Sequence, residues 1–519
     1  MSYLRDSQPV IIHCDTDYIR AVHGLAEFFN RPAVTLRACY AVPSSSSKTE
    51  TNGDVPMREE TTTPGPEISS RSNWLIGDDL SNAEKEADFK EKYEVHWPFR
   101  SNKSNDDCDG RAYVLTHVYT MLGLKISTNS LPLLFIPPPS PTFPLSLQAS
   151  YTQLAFESLN TPVFSIIPSP LASLYALGST TGIVIHIGRN ESTIFVITDS
   201  VVRWECSTTV NVGEADCEDF FRDLLMEDEL LEQELKSASE KAELTSEEKK
   251  KLVKEVAEFV WKECTGDDIE IPIYKSGNRG MTGGLAGGTG AGAGAGDKED
   301  DSFDVAKKLV GDVAPAQAVQ SHKSKKQQAA AAAAAAKSAQ AIADAAAVAA
   351  QNIDTIVINI PSLPGKEFQL GPVRHRLCEP LLFGKNRTGD TVWEGVGRAI
   401  DNASLSIGER LSLWEGVGVV GELARFRSLS PSLVTYLAPY LLSSTDLTSD
   451  CQPGKIRLLN IPDYFANFKN STSELAPFLG GSLVAKVAFS DSQGKHAISK
   501  IDYNQKGPAA IYNVSLEGQ

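Results

Sequence analysis

The chain has 519 residues, too many for one small core and suited to two or more lobes. Its formal charge of −17 disfavours a broad nonspecific grip on nucleic acid, because counterion release needs clustered Lys and Arg. The eight cysteines (14, 39, 108, 206, 217, 264, 378 and 451) form no C-x-x-C and have no His at ligand spacing, which favours reduced thiols without zinc. No signal peptide and no bilayer-length apolar run is read, so a soluble cytoplasmic or nuclear protein without a membrane partner is expected.

In chain order, Pro9-Val10-Ile11-Ile12 reads as a strand and Ala33 to Val42 as a strand pair. Residues 43–72, rich in Ser, Thr, Pro and charge, read as a disordered excursion. Gly110 to Leu124 has helical spacing, and Leu131 to Ile136, before Pro137-Pro138-Pro139, reads as a buried strand. Two prolines, Pro168 and Pro170, place the start of the next helix after them, at Leu171 to Leu177. Gly182 to Ile187 reads as a buried strand, and Gly188-Arg189-Asn190 as a turn. Cys217 to Leu225 is amphipathic, and Thr245-Ser246-Glu247-Glu248 opens a helix to Trp261 with a capping-box pattern. From 265 to 351 the composition shifts: Gly283 to Gly296 is almost only Gly, Ala and Thr, Lys307 to Lys326 is basic, and Ala329 to Ala350 is an alanine-dominated helix former. The stretch reads either as a solvated insert or as a docking arm, with His322-Lys323-Ser324-Lys325-Lys326 as its basic cluster.

The segment Leu154 to Asn190 carries a family signal. Phe156-Glu157, Asn160-Thr161-Pro162, Ser173-Leu174-Tyr175-Ala176, Gly178 and Thr180-Thr181-Gly182-Ile183-Val184 resemble the actin superfamily in the same order. Further matches are Trp74 to Asp78, Leu363-Pro364-Gly365, Lys455-Ile456-Arg457, Gly480-Gly481-Ser482, Ile498-Ser499-Lys500 and Gly507-Pro508. The resemblance implies an α/β, actin-like fold of the Hsp70 and hexokinase type: two lobes with duplicated ribonuclease-H-like domains around a central cleft, interrupted by disordered insertions. The first lobe would comprise 1–176 and 485–519, with the 43–72 excursion replacing the loop that makes filament contacts. The second would comprise 177–484, with the 265–351 insert.

The same resemblance allows the cleft to be checked residue by residue. Phosphoryl transfer needs glycines for backbone approach to phosphates, carboxylates to hold the water shell of a divalent cation, and a residue that orients the attacking water. In the first phosphate loop the matching residues are His13, Cys14, Asp15, Thr16, Asp17 and Arg20, so both family glycines have become aspartates. Arg20 keeps a cation, equally readable as a structural ion-pair partner. In the second loop His186, Ile187, Gly188, Arg189 and Asn190 retain only Gly188. His13 and His186 replace carboxylates on facing strands, which raises a zinc site as a minor alternative to two packed imidazoles. Ser169 stands where the family places its water-orienting glutamine, and Gln153 lies too early in the chain to replace it. Val420, Gly421, Glu422 and Leu423 keep half of the adenine-loop glycine pair, and Glu258 matches the carboxylate directed at the ribose. The expectation is no enzyme, no metal and no cofactor, with ATP neither hydrolysed nor bound tightly.

A family groove that receives partner helices corresponds here to Tyr175, Gly178 and Thr180 on one side and Leu483, Val484 and Val487 on the other. Leu483 and Val484 read equally as core, whereas Val487 reads as a contact. The lost phosphate loops and long insertions look most like the actin-related subunits of fungal SWI/SNF and RSC chromatin remodellers. That likeness implies a nuclear scaffold for transcription regulation. Its partners would be a helix-SANT-associated segment of the motor ATPase, a second actin-related protein as heterodimer and other remodeller subunits, with only indirect nucleosome contact. The alternatives are a divergent cytoplasmic actin-related protein of a dynactin-like complex and a nucleotide-regulated ATPase using an unusual cleft, which retained glycines and carboxylates, absent here, would mark.

Overall fold

The computed structural model describes residues 9–25, 29–44, 73–86, 88–100, 107–239, 245–264, 266–271, 355–387, 389–402, 404–442, 455–468, 473–490 and 496–512. Met1–Pro272 and Ile356–Gln519 form one compact unit. A second unit, Ile273–Thr355, lies outside the described residues apart from Thr355, and so do the alanine-rich and basic segments singled out in the sequence.

Within the first unit the apolar runs become the middles of two sheets. Val10–Cys14 and Leu133–Ile136 are buried along their whole length, which a strand covered on both faces requires. They pair in parallel, and Leu133–Ile136 pairs in parallel with Val163–Ile166. Tyr18–His23, Val34–Arg37 and, at the other edge, Ile498–Ser499 complete the six-stranded sheet in antiparallel register. The second sheet has Gly182–Ile187 at its centre, paired in parallel with Val417–Gly421 and antiparallel with Ser192–Thr198. Val201–Val202 and Thr208–Val210 both pair with Ser192–Thr198. Each sheet thus anchors one lobe, and this is the actin-like arrangement.

Helices cover the sheets where the apolar periodicity placed them, over Cys108–Met121, Glu214–Glu227 and Ser246–Glu263. The last begins at a complete capping box: the Thr245 hydroxyl accepts from the Glu248 amide, and Glu248 accepts from the Thr245 amide. The chain passes between lobes through two helices, Ser169–Ala176 and Ala476–Ser490. Their backbones touch at Gly480, where a β-carbon would stand 1.7 Å from the Ala172 carbonyl oxygen. A shared apolar cluster joins Ile11, Leu134 and Ile136 of the first sheet to Val184, Phe195 and Val420 of the second through Ala172, Leu174, Phe478 and Leu479.

Three boundaries differ from the sequence reading. The hinge helix begins at Ser169, not Leu171, because a proline in the first turn forfeits only an amide that has no helical partner anyway. Pro43 closes the strand Tyr40–Pro43, and Ser44 still donates to the Lys92 carbonyl, so the excursion starts later. Residues 266–271, placed with the insert by position, are part of the body: Ile269 and Ile271 are buried, and Ser428 ties both through its hydroxyl.

Candidate functional site

His13 and His186 sit on the inner strands of opposite lobes, and the hairpin turn Asp15 to Asp17 projects between them. His13 is 1% exposed, and neither ring nitrogen has a hydrogen-bond partner. Burial drives its pKa down to about 3, so the imidazole is neutral. His13 and His186 gather no third ligand among the described residues.

Asp15 meets His186 across the cleft, with Oδ2 3.6 Å from Nε2, and its Oδ1 accepts from the Thr16 amide at 2.7 Å. Burial would raise this carboxyl, yet His186, His13 and Arg20 together hold it well below the usual carboxylate range. Asp17 accepts from the Thr16 hydroxyl at 2.7 Å and pairs with Arg100, whose guanidinium lies 3.8 Å above the Trp97 ring. Arg20 is committed to Glu474. Arg189 forms a two-pronged pair with Glu218, both contacts at 2.7 Å. Gly188 accepts the helix start from Glu214, whose amide donates to its carbonyl at 3.0 Å.

The loop after Val417–Gly421 closes the site from the other side. Gly421 has φ +114°, and a β-carbon there would lie 2.1 Å from the Ile187 carbonyl, which only glycine tolerates. Next to it, the Glu422 amide donates to Glu214 Oε1 at 3.0 Å, and its own carboxylate accepts from the Trp261 indole at 3.1 Å and faces Arg425 at 3.6 Å. Burial and the nearby charges of Glu422 and Asp15 push the Glu214 carboxyl well above its ordinary range, favouring its protonated form. Burial likewise raises Glu422, against the pull of Arg425.

Asp15, Asp17, Arg20, Gly188, Arg189, Glu214, Gly421, Glu422 and Glu474 leave between them a cavity of about 20 Å³. That is room for about one water, whereas small-molecule sites occupy roughly 300–1,000 Å³. Two sequence-assigned residues are elsewhere. Ser169 is buried in the first turn of the hinge helix, its carbonyl accepting from the Ser173 hydroxyl. Glu258 is exposed and pairs with Lys254; Trp261, one turn on, is the residue of that helix that reaches the cleft. Glu214, Glu218, Trp261 and Glu474 escaped the sequence reading. Of these only Trp261 carried a signal, as a large aromatic on the helix assigned to the nucleotide.

On the far side of the hinge helices lies a groove of about 630 Å³. It brings together Tyr175, Leu483, Val484 and Val487 with Phe143, Leu171, Val201 and Trp204. Val487 is 66% exposed, a large apolar side chain presented to solvent. Gly178 and Thr180, assigned to this groove from the sequence, are not among its lining residues. Gly178 faces Pro462, and the Thr180 carbonyl is taken by the Ser200 amide, because the chain has already turned out of the helix at Leu177.

Comparison with known proteins agrees with the geometry. The family model described as Actin matches residues 5–263. The chain is 25% identical to the SWI/SNF and RSC complexes subunit arp9 of Schizosaccharomyces pombe, an alignment covering 99% of both chains. It is 36% identical to Actin-related protein 7 of Saccharomyces cerevisiae over 80 residues, 15% of this chain and 17% of that protein. With paired lobes and hinge helices in place, the chain belongs to the actin family as an actin-related protein, similar to the arp9 subunit along its whole length.

Proposed function

We propose that this chain is a non-catalytic, nuclear, actin-related subunit of a chromatin remodelling complex of the SWI/SNF and RSC type. The likeness to the fission-yeast subunit spans both chains from end to end, which supports a whole-protein role in the same kind of assembly. The observation that carries the non-catalytic reading is the filled cleft. Every charged side chain on the two phosphate loops is engaged by a protein partner, and the remaining space is about 20 Å³.

With that site closed, the apolar groove is the surface offered to a partner. An amphipathic helix laid along Tyr175, Val484 and Val487 would bury its apolar face against both lobes. The occupant in this reading is the helix-SANT-associated segment of the motor subunit, with a second actin-related protein alongside, and contact with the nucleosome is indirect.

Affinity purification of the tagged chain with mass spectrometry tests the assembly: recovery of a remodeller motor subunit and a second actin-related protein is expected. Recovery of a dynein-associated filament instead would overturn the assignment. Calorimetric titration with Mg-ATP should give no heat of binding in the micromolar range, and a micromolar dissociation constant would sink the closed-cleft reading.

A further inference from the structure

One ion pair and one carboxylate–imidazole contact run from lobe to lobe across the filled cleft. Arg20, buried on the strand Tyr18–His23 of the first lobe, pairs with Glu474. Glu474 belongs to the turn Ser473–Leu475, which packs against Val417–Gly421 and the turn Glu422–Arg425 of the second lobe. The second contact joins Asp15 of the first lobe to His186 of the second.

Beyond the hinge, the groove is likewise built from both lobes. Phe143, Phe164 and Ile498 come from the first and Val201 and Trp204 from the second, with the Phe143 and Trp204 rings 6.1 Å apart. Between cleft and groove the hinge helices are in backbone contact at Gly480 and Ala172. Lobes that rotate about such a tight contact change the cleft and the groove together.

We propose that Arg20–Glu474 and Asp15–His186 form a built-in latch that keeps the lobes closed without any ligand and so sets the width of the partner groove, a role that rests on reading the cleft as closed to nucleotide. A ligand contacting both lobes favours the closed state only by its differential affinity and only while bound. Side chains supplied by the two lobes act intramolecularly, at an effective concentration fixed by the fold. Because Arg20 is buried, its pair is little screened by salt. The groove is therefore preformed, and a partner helix meets it without first having to draw the lobes together.

Hydrogen exchange of the full chain, read by mass spectrometry, tests the latch on Arg20→Met, Glu474→Gln and the double variant. Each single variant should raise exchange about tenfold or more both in the cleft strand Tyr18–His23 and in the groove segments 200–206 and 483–488. The double variant should exchange no faster than the faster single, because both remove the same pair. Wild-type rates in the groove segments of both single variants, or additive effects in the double, would overturn the latch. Should Arg20→Met fail to fold, Asp15→Asn probes the second contact with the same expected and refuting outcomes. Wild-type protein with millimolar Mg-ATP forms a separate arm: new protection at residues 15–20 and 188–190 would refute the closed cleft, whatever the latch variants do.

Discussion

Replacing His13 by leucine removes a buried imidazole whose two nitrogens have no partner. In the unfolded chain this group titrates at its ordinary 6.5, and in the folded chain at about 3. Between those values the unfolded state binds more protons, so stability is lost as pH falls through 6.5 and goes on falling toward 3. At about 1.4 kcal/mol per pH unit, His13 removes about 2 kcal/mol of folding stability between pH 7 and pH 5. At pH 7 the neutral ring still leaves unpaired polar atoms buried, at a cost of about 1–3 kcal/mol. His13→Leu should therefore stabilise the protein at pH 7 and stabilise it by about 2 kcal/mol more at pH 5. Urea unfolding of both proteins at pH 5, 6 and 7, followed by circular dichroism, measures this as a gap between midpoints that widens toward acid. Other groups titrate alike in both proteins and cancel in the difference. Asp15, whose pKa is depressed, loses its contribution only as pH falls below 3.8, outside the window. A gap of constant size from pH 7 to 5 would refute the neutral, water-excluded assignment of His13.

Glu214→Gln should act with the opposite pH dependence. The raised pKa of Glu214 makes the unfolded state the more acidic one above pH 4.5, so its penalty grows as pH rises, and the variant should gain stability at pH 7 relative to pH 5 while keeping Oε1 for the Glu422 amide. A midpoint that gains more at pH 5 would contradict the assignment. Gly480→Ala should destabilise by more than about 3 kcal/mol despite alanine's better helix propensity, because its β-carbon meets the Ala172 backbone; an unchanged thermal midpoint would show that the hinge helices can separate. Val487→Asp should leave the melting temperature nearly unchanged, since the side chain is mostly exposed, and should abolish co-purification of the motor subunit; retention of the motor subunit would move the partner surface elsewhere.

Local pattern was enough to determine several things about this protein. Largely apolar runs such as Val10–Cys14 and Gly182–Ile187, each interrupted by one histidine, became strands buried along their whole length, as a strand covered on both faces requires. The capping box at Thr245 started its helix, and the aspartates, His186 and Arg189 on the phosphate loops marked altered chemistry before any contact was visible. Whether that chemistry left an open site was decided only by tertiary structure. Arg20 finds its partner 454 residues away, and the Glu214 carboxyl is pushed up by burial beside Glu422 and Asp15; neither fact is written in the neighbouring sequence. The groove shows the same division. The hinge helix sequence pointed to Tyr175, but the chain turns away after Leu177, so Gly178 and Thr180, though exposed, leave the groove lining while Phe143, Val201 and Trp204 are carried in from other elements. Periodicity reports which face of one element is buried; which elements face each other depends on how the lobes close.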